Sequence, residues 1–195
     1  MKRMIAVLGL VATFGVGLHA NAEPSAELRD QVNVMLSAPE YAPSEREWLA
    51  LGPDAAQVLR DVALNRKVLA VKRGRAATAL SYFKEESTRL VLTQLVSADK
   101  EAWLVRGKAA RALTKGFGEQ SLQAVQVLLK DPQKRLREAA VKAIADVASE
   151  ASRRILQAHL TKEPARYLRL ATEKAVARID ARLLERARSR QEEQK

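Results

Sequence analysis

An eight-residue phrase returns four times along the chain: RGRAATAL from Arg73, RGKAARAL from Arg106, REAAVKAI from Arg137 and RLATEKAV from Arg169. The intervals are 33, 31 and 32 residues. A fixed period of that size marks stacked helix pairs, because one pair cannot bury its apolar side without a neighbour. An array of this kind is a surface for holding something. It rarely carries chemistry of its own.

Apolar residues recur at helical intervals after residue 22, and no long stretch alternates as a strand would. Leu122, Val125, Leu128 and Leu129 share one face, and beyond Asp131 so do Leu136, Ala140, Ala143, Ile144 and Val147. Pro132 is expected just inside the start of this second helix, where a missing N–H has no partner to lose. The same template predicts a first pair that starts near Gly52-Pro53-Asp54, turns at Asn65-Arg66-Lys67 and runs on over 68–83. A second pair is expected over 87–96 and 102–115, closed by glycines 116 and 118. The fourth pair falls at 150–160 and 164–179. The first two pairs have longer turns: Val62 to Arg73 and Leu95 to Arg106 span eleven residues, Leu128 to Arg137 and Leu160 to Arg169 span nine.

The repeats therefore occupy 51–180. Before them, 23–50 holds a capping helix predicted over 44–51, where Ser44 and Glu47 have capping-box spacing. Residues 26–36 suit a further helix. The charged tail, 181–195, is expected to extend the last helix and then fray, shielding the end of the stack.

Residues 1–22 speak to location. Lys2 and Arg3 precede an apolar run from Met4 to Leu18 and then Ala20-Asn21-Ala22, the order of a secretory signal cleaved after Ala22. The run is shorter than the roughly 20 apolar residues of a membrane span. An exported protein, periplasmic or secreted and without a stable membrane span, is the expectation; an N-terminal inner-membrane anchor is the alternative. The full chain has 34 basic and 23 acidic residues, a charge of +11, and cleavage leaves +9. That balance favours anionic partners.

Within each phrase the residues three and six after the arginine are Ala76, Ala109, Ala140, Thr172 and Ala79, Ala112, Ala143, Ala175. Leu80, Leu113, Ile144 and Val176 follow. These directions converge on one helix side, so small residues admit a close neighbour and the larger one fills the core. Arg73, Arg106, Arg137 and Arg169 border that side. As structural ties between repeats they would bind turn carboxylates such as Asp99 and Asp131, or free carbonyls.

The opposite face carries Arg75, Lys108, Ala139 and Ala171, then Thr78, Arg111, Lys142 and Lys174, then Tyr82, Lys115, Asp146 and Arg178. Seven of these twelve are cations and one is an acid. Stacking the repeats would align them as a basic stripe, with Tyr82 as a candidate aromatic anchor. The alternative is a plain solvated face.

The pattern R-x-x-A-x-x-A-[LIV] on the second helix of a pair, at a period near 32, resembles the HEAT-like repeats, and most of all the short variety of phycobilin lyase-type proteins. LGPDAAQVL from Leu51 is similar to a first helix of such a repeat. The resemblance covers 51–180. It implies an all-α, right-handed α-α superhelix of about four helix pairs whose second helices line a concave binding surface. It carries no chromophore attachment to this chain.

Catalytic signatures are missing. There is no cysteine, and the histidines are His19 and His159, so neither a thiolate nucleophile nor a usual transition-metal site is expected. No cofactor is expected. Interleaved aromatics of a single-strand nucleic acid binder are lacking. The expected function is a non-enzymatic scaffold that binds an acidic protein partner. A polyanion such as nucleic acid is the alternative, disfavoured by export, and a lyase-like helper stands third. Partner identity and oligomeric state are not encoded in these patterns.

Overall fold

The computed structural model describes residues 23–38 and 40–194. The proposed signal segment, 1–22, lies outside them. Ten α-helices and no strand occur among the described residues. Two lead in: α1 (Ala26–Ser37), capped by the Ser25 hydroxyl, and α2 (Glu45–Leu49). The Ser44–Glu47 capping box starts α2. The Ser44 hydroxyl and Tyr41 hold the Glu47 carboxyl down at about 2.

Repeat 1 is α3 (Asp54–Leu64) and α4 (Ala70–Ala79), the latter tightening into a 3-10 turn over Leu80–Tyr82. Repeat 2 is α5 (Glu86–Ser97) and α6 (Trp103–Phe117). Gly118, at φ +55°, ends α6 in a conformation that favours glycine. Gly116 lies inside the helix and does not help to end it.

Repeat 3 departs from expectation twice. Its first helix is one α-turn, α7 (Leu122–Val125), between 3-10 segments Gly118–Ser121 and Gln126–Lys130. Its second helix, α8 (Lys134–Val147), starts after Pro132 and not around it. Asp131, before the proline, is held extended at ψ 140°. Its carboxylate accepts the Gln133 N–H at 2.9 Å, so Pro132 belongs to the turn. Repeat 4 is α9 (Glu150–Leu160), started by the Ser149 cap, and α10 (Arg166–Glu193). The tail extends the last helix, and α10 stays helical to Glu193.

Second helices stack in order, α4 on α6, α6 on α8 and α8 on α10. All eight positions three and six after each arginine are buried, as are Leu80, Leu113, Ile144 and Val176. A buried leucine there contributes roughly 1.5–3 kcal/mol. Thr172, alone among the alanines, satisfies its hydroxyl on the Leu168 carbonyl at 2.7 Å. The first helices stack α3 on α5 and α5 on α7.

The open edge of repeat 1 is covered mainly by α1, which packs on α3 and α4 through buried Val32 and Leu36. The short α2 meets the Leu80–Tyr82 turn and buries Trp48. Among the described residues no helix is long and apolar enough to cross a membrane.

Candidate functional site

Two polar systems run along the stack, one inside and one outside. The inner one is a ladder. Arg73 bonds Ala63 O at 2.9 Å and both oxygens of Glu101 at 2.9 and 2.5 Å. Arg106 bonds Val96 O at 3.0 Å and Asp131 at 2.9 Å. Arg137 bonds Glu163 at 2.7 and 3.0 Å and the Asp131 and Pro132 carbonyls at 2.8 and 3.2 Å. Arg169, in the fourth repeat, reaches only the Glu163 and Pro164 carbonyls among the described residues, at 2.8 and 2.9 Å.

Arg73, Arg106 and Arg137 thus each close carbonyls of their own repeat and reach forward for a carboxylate of the next. The carbonyls are groups that a helix C-terminus or turn leaves without partners. The carboxylates do a second job. Glu101, Asp131 and Glu163 accept the N–H of Ala102, Gln133 and Ala165, the residues that cap α6, α8 and α10. Those three helices have no side-chain cap otherwise. One carboxylate therefore ties two repeats and starts a helix, where negative charge is favoured.

Asp99, expected as a partner, is 94% exposed and stands 3.6 Å from Arg106. The buried rung in that turn is Glu101. Burial pushes the Glu101 carboxyl up, but the Arg73 hydrogen bonds and the Ala102 N–H hold it below the ordinary carboxylate value. The Arg137 hydrogen bonds likewise hold Glu163 low, and Glu163 in turn raises Arg137.

His159, on α9, is 7% exposed. Its Nε2 lies 3.2 Å from Glu163 Oε2 but out of line for a hydrogen bond, and has no other partner. Burial pushes the imidazole below its ordinary value; Glu163 opposes this and Arg137 reinforces it.

The outer system is a groove of about 660 Å³ between the second helices, lined by Thr78, Lys108, Arg111, Lys115, Asp146 and Arg182 among others. Lys108, Arg111 and Lys115 sit on successive turns of α6, all exposed. Arg111 stands 3.4 Å from Asp146 of α8. The Lys115 ammonium sits 3.9 Å from the centroid of the Tyr82 ring, a cation–π contact that engages both. Arg182 arrives from the extended α10.

The remaining stripe residues divide. Arg75 does not line this groove: it holds the Leu36 and Tyr41 carbonyls at 3.0 and 2.7 Å, so the N-terminal segment covers the stripe there. Lys142 pairs with Glu138 at 2.6 Å and lines a smaller cleft of about 240 Å³ beside Trp103. Lys174 and Arg178 are exposed on α10 and outside the groove lining.

Arg182 and Glu101 are functional or structural positions that the repeat phrase did not mark. Arg182 lies past the last repeat, where no periodicity points. Glu101 had a signal, since each forward carboxylate follows its arginine by 25 to 28 residues. Among the described residues no group of three or more histidine, aspartate or glutamate side chains is placed to hold a metal.

The family profile for HEAT repeats matches residues 99–177. That span contains α6, α8 and the core part of α10, with the Arg106–Asp131 and Arg137–Glu163 rungs. No curated protein matches the chain. Taken with the stack of helix pairs, the match makes the architecture an all-α, HEAT-like solenoid, a helical scaffold suited to protein interaction.

Proposed function

We propose that the chain is a non-enzymatic scaffold, exported to the periplasm or beyond, that holds an acidic protein segment in the groove between its second helices. The observation that carries the reading is the groove's charge: Lys108, Arg111, Lys115 and Arg182 surround Asp146 as its only acid. A row of cations on rigid helices presents fixed donors at little ordering cost, which favours an extended acidic segment. The Tyr82 ring, outside the groove lining, holds the Lys115 ammonium by its cation–π contact. Export rests on the N-terminal pattern of residues 1–22. The repeat intervals of 31 to 33 residues favour the short variety of HEAT-like repeat.

The test places a photo-cross-linker at Thr78, exposed in the groove wall, in cells that express the full chain, and identifies what it captures. Recovery of acidic protein segments, lost when Lys108, Arg111 and Lys115 become glutamate while helicity is kept, supports the reading. Capture of nucleic acid, with affinity falling steeply as salt rises, would replace it with polyanion binding. Unchanged capture by the charge-reversed protein would remove the groove from the account.

A further inference from the structure

A second concavity lies at the junction of repeats 3 and 4, and it shares no lining residue with the basic groove. The first helices pack side by side until repeat 3, where Gln126–Lys130 winds as a 3-10 helix. Between this segment and α9 a half-open cleft of about 840 Å³ remains. Its size falls in the range of small-ligand sites, roughly 300–1,000 Å³.

The two walls follow from helix geometry. In a 3-10 helix, residues three apart eclipse, so Val127 and Lys130 both line the cleft. On α9, residues at three- and four-residue spacing share a face, and Ile155, Ala158 and His159 line the opposite wall, with Lys162 in the turn just past the helix. The result is an apolar lining under a charged rim. Val127 is 51% exposed, a large apolar side chain left open to water. Lys130, Arg154 and Lys162 are exposed around the same opening and have no ion-pair partner among the described residues.

The floor is polar and spoken for, with one exception. Arg137 and Glu163 saturate each other there. His159, more than nine-tenths buried, has an Nε2 with no hydrogen-bond partner among the described residues, an uncommon state for a buried polar atom.

We propose that this cleft binds a small amphiphilic anion, an aliphatic chain that ends in a carboxylate. The chain lies along Val127, Leu129, Ile155 and Ala158, and the carboxylate meets the three unpaired rim cations. An apolar ligand without charge would leave those cations unused, and a bare anion would leave the lining wet. His159 stands at the inner end and reports on the site, since a bound chain removes water from its imidazole.

Decanoate, titrated into the full chain by calorimetry at concentrations below micelle formation, tests the proposal. Saturable binding with one site per chain is expected. Octanoate, two methylenes shorter, should bind about fifteenfold more weakly, since each buried methylene strengthens binding about fourfold. Acetate and inorganic phosphate should show no binding, and decanol should bind at least about tenfold more weakly than decanoate.

Two variants locate the site. Ala158→Trp fills the cleft from an exposed position of α9 and should abolish decanoate binding with helicity unchanged. Lys130→Glu with Arg154→Glu and Lys162→Glu should weaken decanoate at least about tenfold and leave decanol unaffected. Charge reversal of Arg111 and Lys115 in the groove should leave decanoate binding as it is, so this inference and the groove reading fail separately. Equal binding of decanol and decanoate, retention of binding in Ala158→Trp, or absence of saturable binding overturns the proposal.

Discussion

Arg73 grips both carboxylate oxygens of Glu101, at 2.9 and 2.5 Å, across the boundary between the first two repeats. Both side chains are about 95% buried. The pair is therefore costly to break from one side, because the survivor is left charged away from water. Arg73→Met should cost about 3–5 kcal/mol of unfolding free energy in urea titration. Arg73→Met with Glu101→Gln should cost less than the single change, since the amide oxygen still accepts the Ala102 N–H. A double variant as unstable as the sum of the singles would refute the coupling.

The terminal rung is different in kind. Arg169 bonds only carbonyls and sits half-buried. Arg169→Ala should cost about 1 kcal/mol, the net value of hydrogen bonds that water can replace. Arg137→Ala, which strands Glu163, should cost at least about 3 kcal/mol. The contrast in denaturation midpoints between these two variants checks whether the forward carboxylate, and not the arginine alone, carries the ladder.

The fold was legible because packing repeats what the chemistry of one repeat demands. Ala76, Ala109 and Ala140 are alanine for one reason, close helix approach, and the reason recurs at one spacing. The ladder was legible only by half. Asp99 follows Arg73 by 26 residues, the spacing of the Arg137–Glu163 rung, yet the longer turn of repeat 2 shifts the register and puts Glu101 in place. The groove was legible less well still. Helix angles aligned Arg75 with Lys108, but could not show that the segment before α2 returns to cover Arg75. Nor could they show α10 running on until Arg182 reaches the groove. The cleft beside His159 had no sequence signal, because it arises where a regular first helix was expected and a 3-10 segment formed.

Close approach makes its own prediction at two glycines. A β-carbon at Gly116 would meet the Ser81 carbonyl oxygen at 3.1 Å, a backbone atom that can yield only if α6 moves off the Leu80–Tyr82 turn. Gly116→Ala should therefore destabilise by about 1–3 kcal/mol. At Gly74 the nearest atom, at 3.3 Å, is Cγ of the flexible Lys108 side chain. Gly74→Ala should be neutral or stabilising by up to about 1 kcal/mol, the gain in helix propensity. Thermal melts of the two variants should move in different directions or by clearly different amounts.

The final prediction concerns acid. His159 has a folded value below its ordinary 6.5, first because burial disfavours the cation, a cost that Glu163 offsets only in part and to which Arg137 adds. As pH falls through about 6.5, the unfolded chain takes up its proton before the folded one, so stability declines until the lower folded value is passed. Glu163 and Glu101 are also held low in the fold, by Arg137 and by Arg73 against burial. Their contribution is complete above the ordinary carboxylate value of 4.5 and disappears as pH drops through the folded values below it. The melting temperature should thus fall in two stages on acidification, one beginning near pH 6.5 and one below pH 4.5. His159→Gln should remove the upper stage and leave the lower. An unchanged upper stage in that variant would assign it to another group and refute the role given to the buried imidazole.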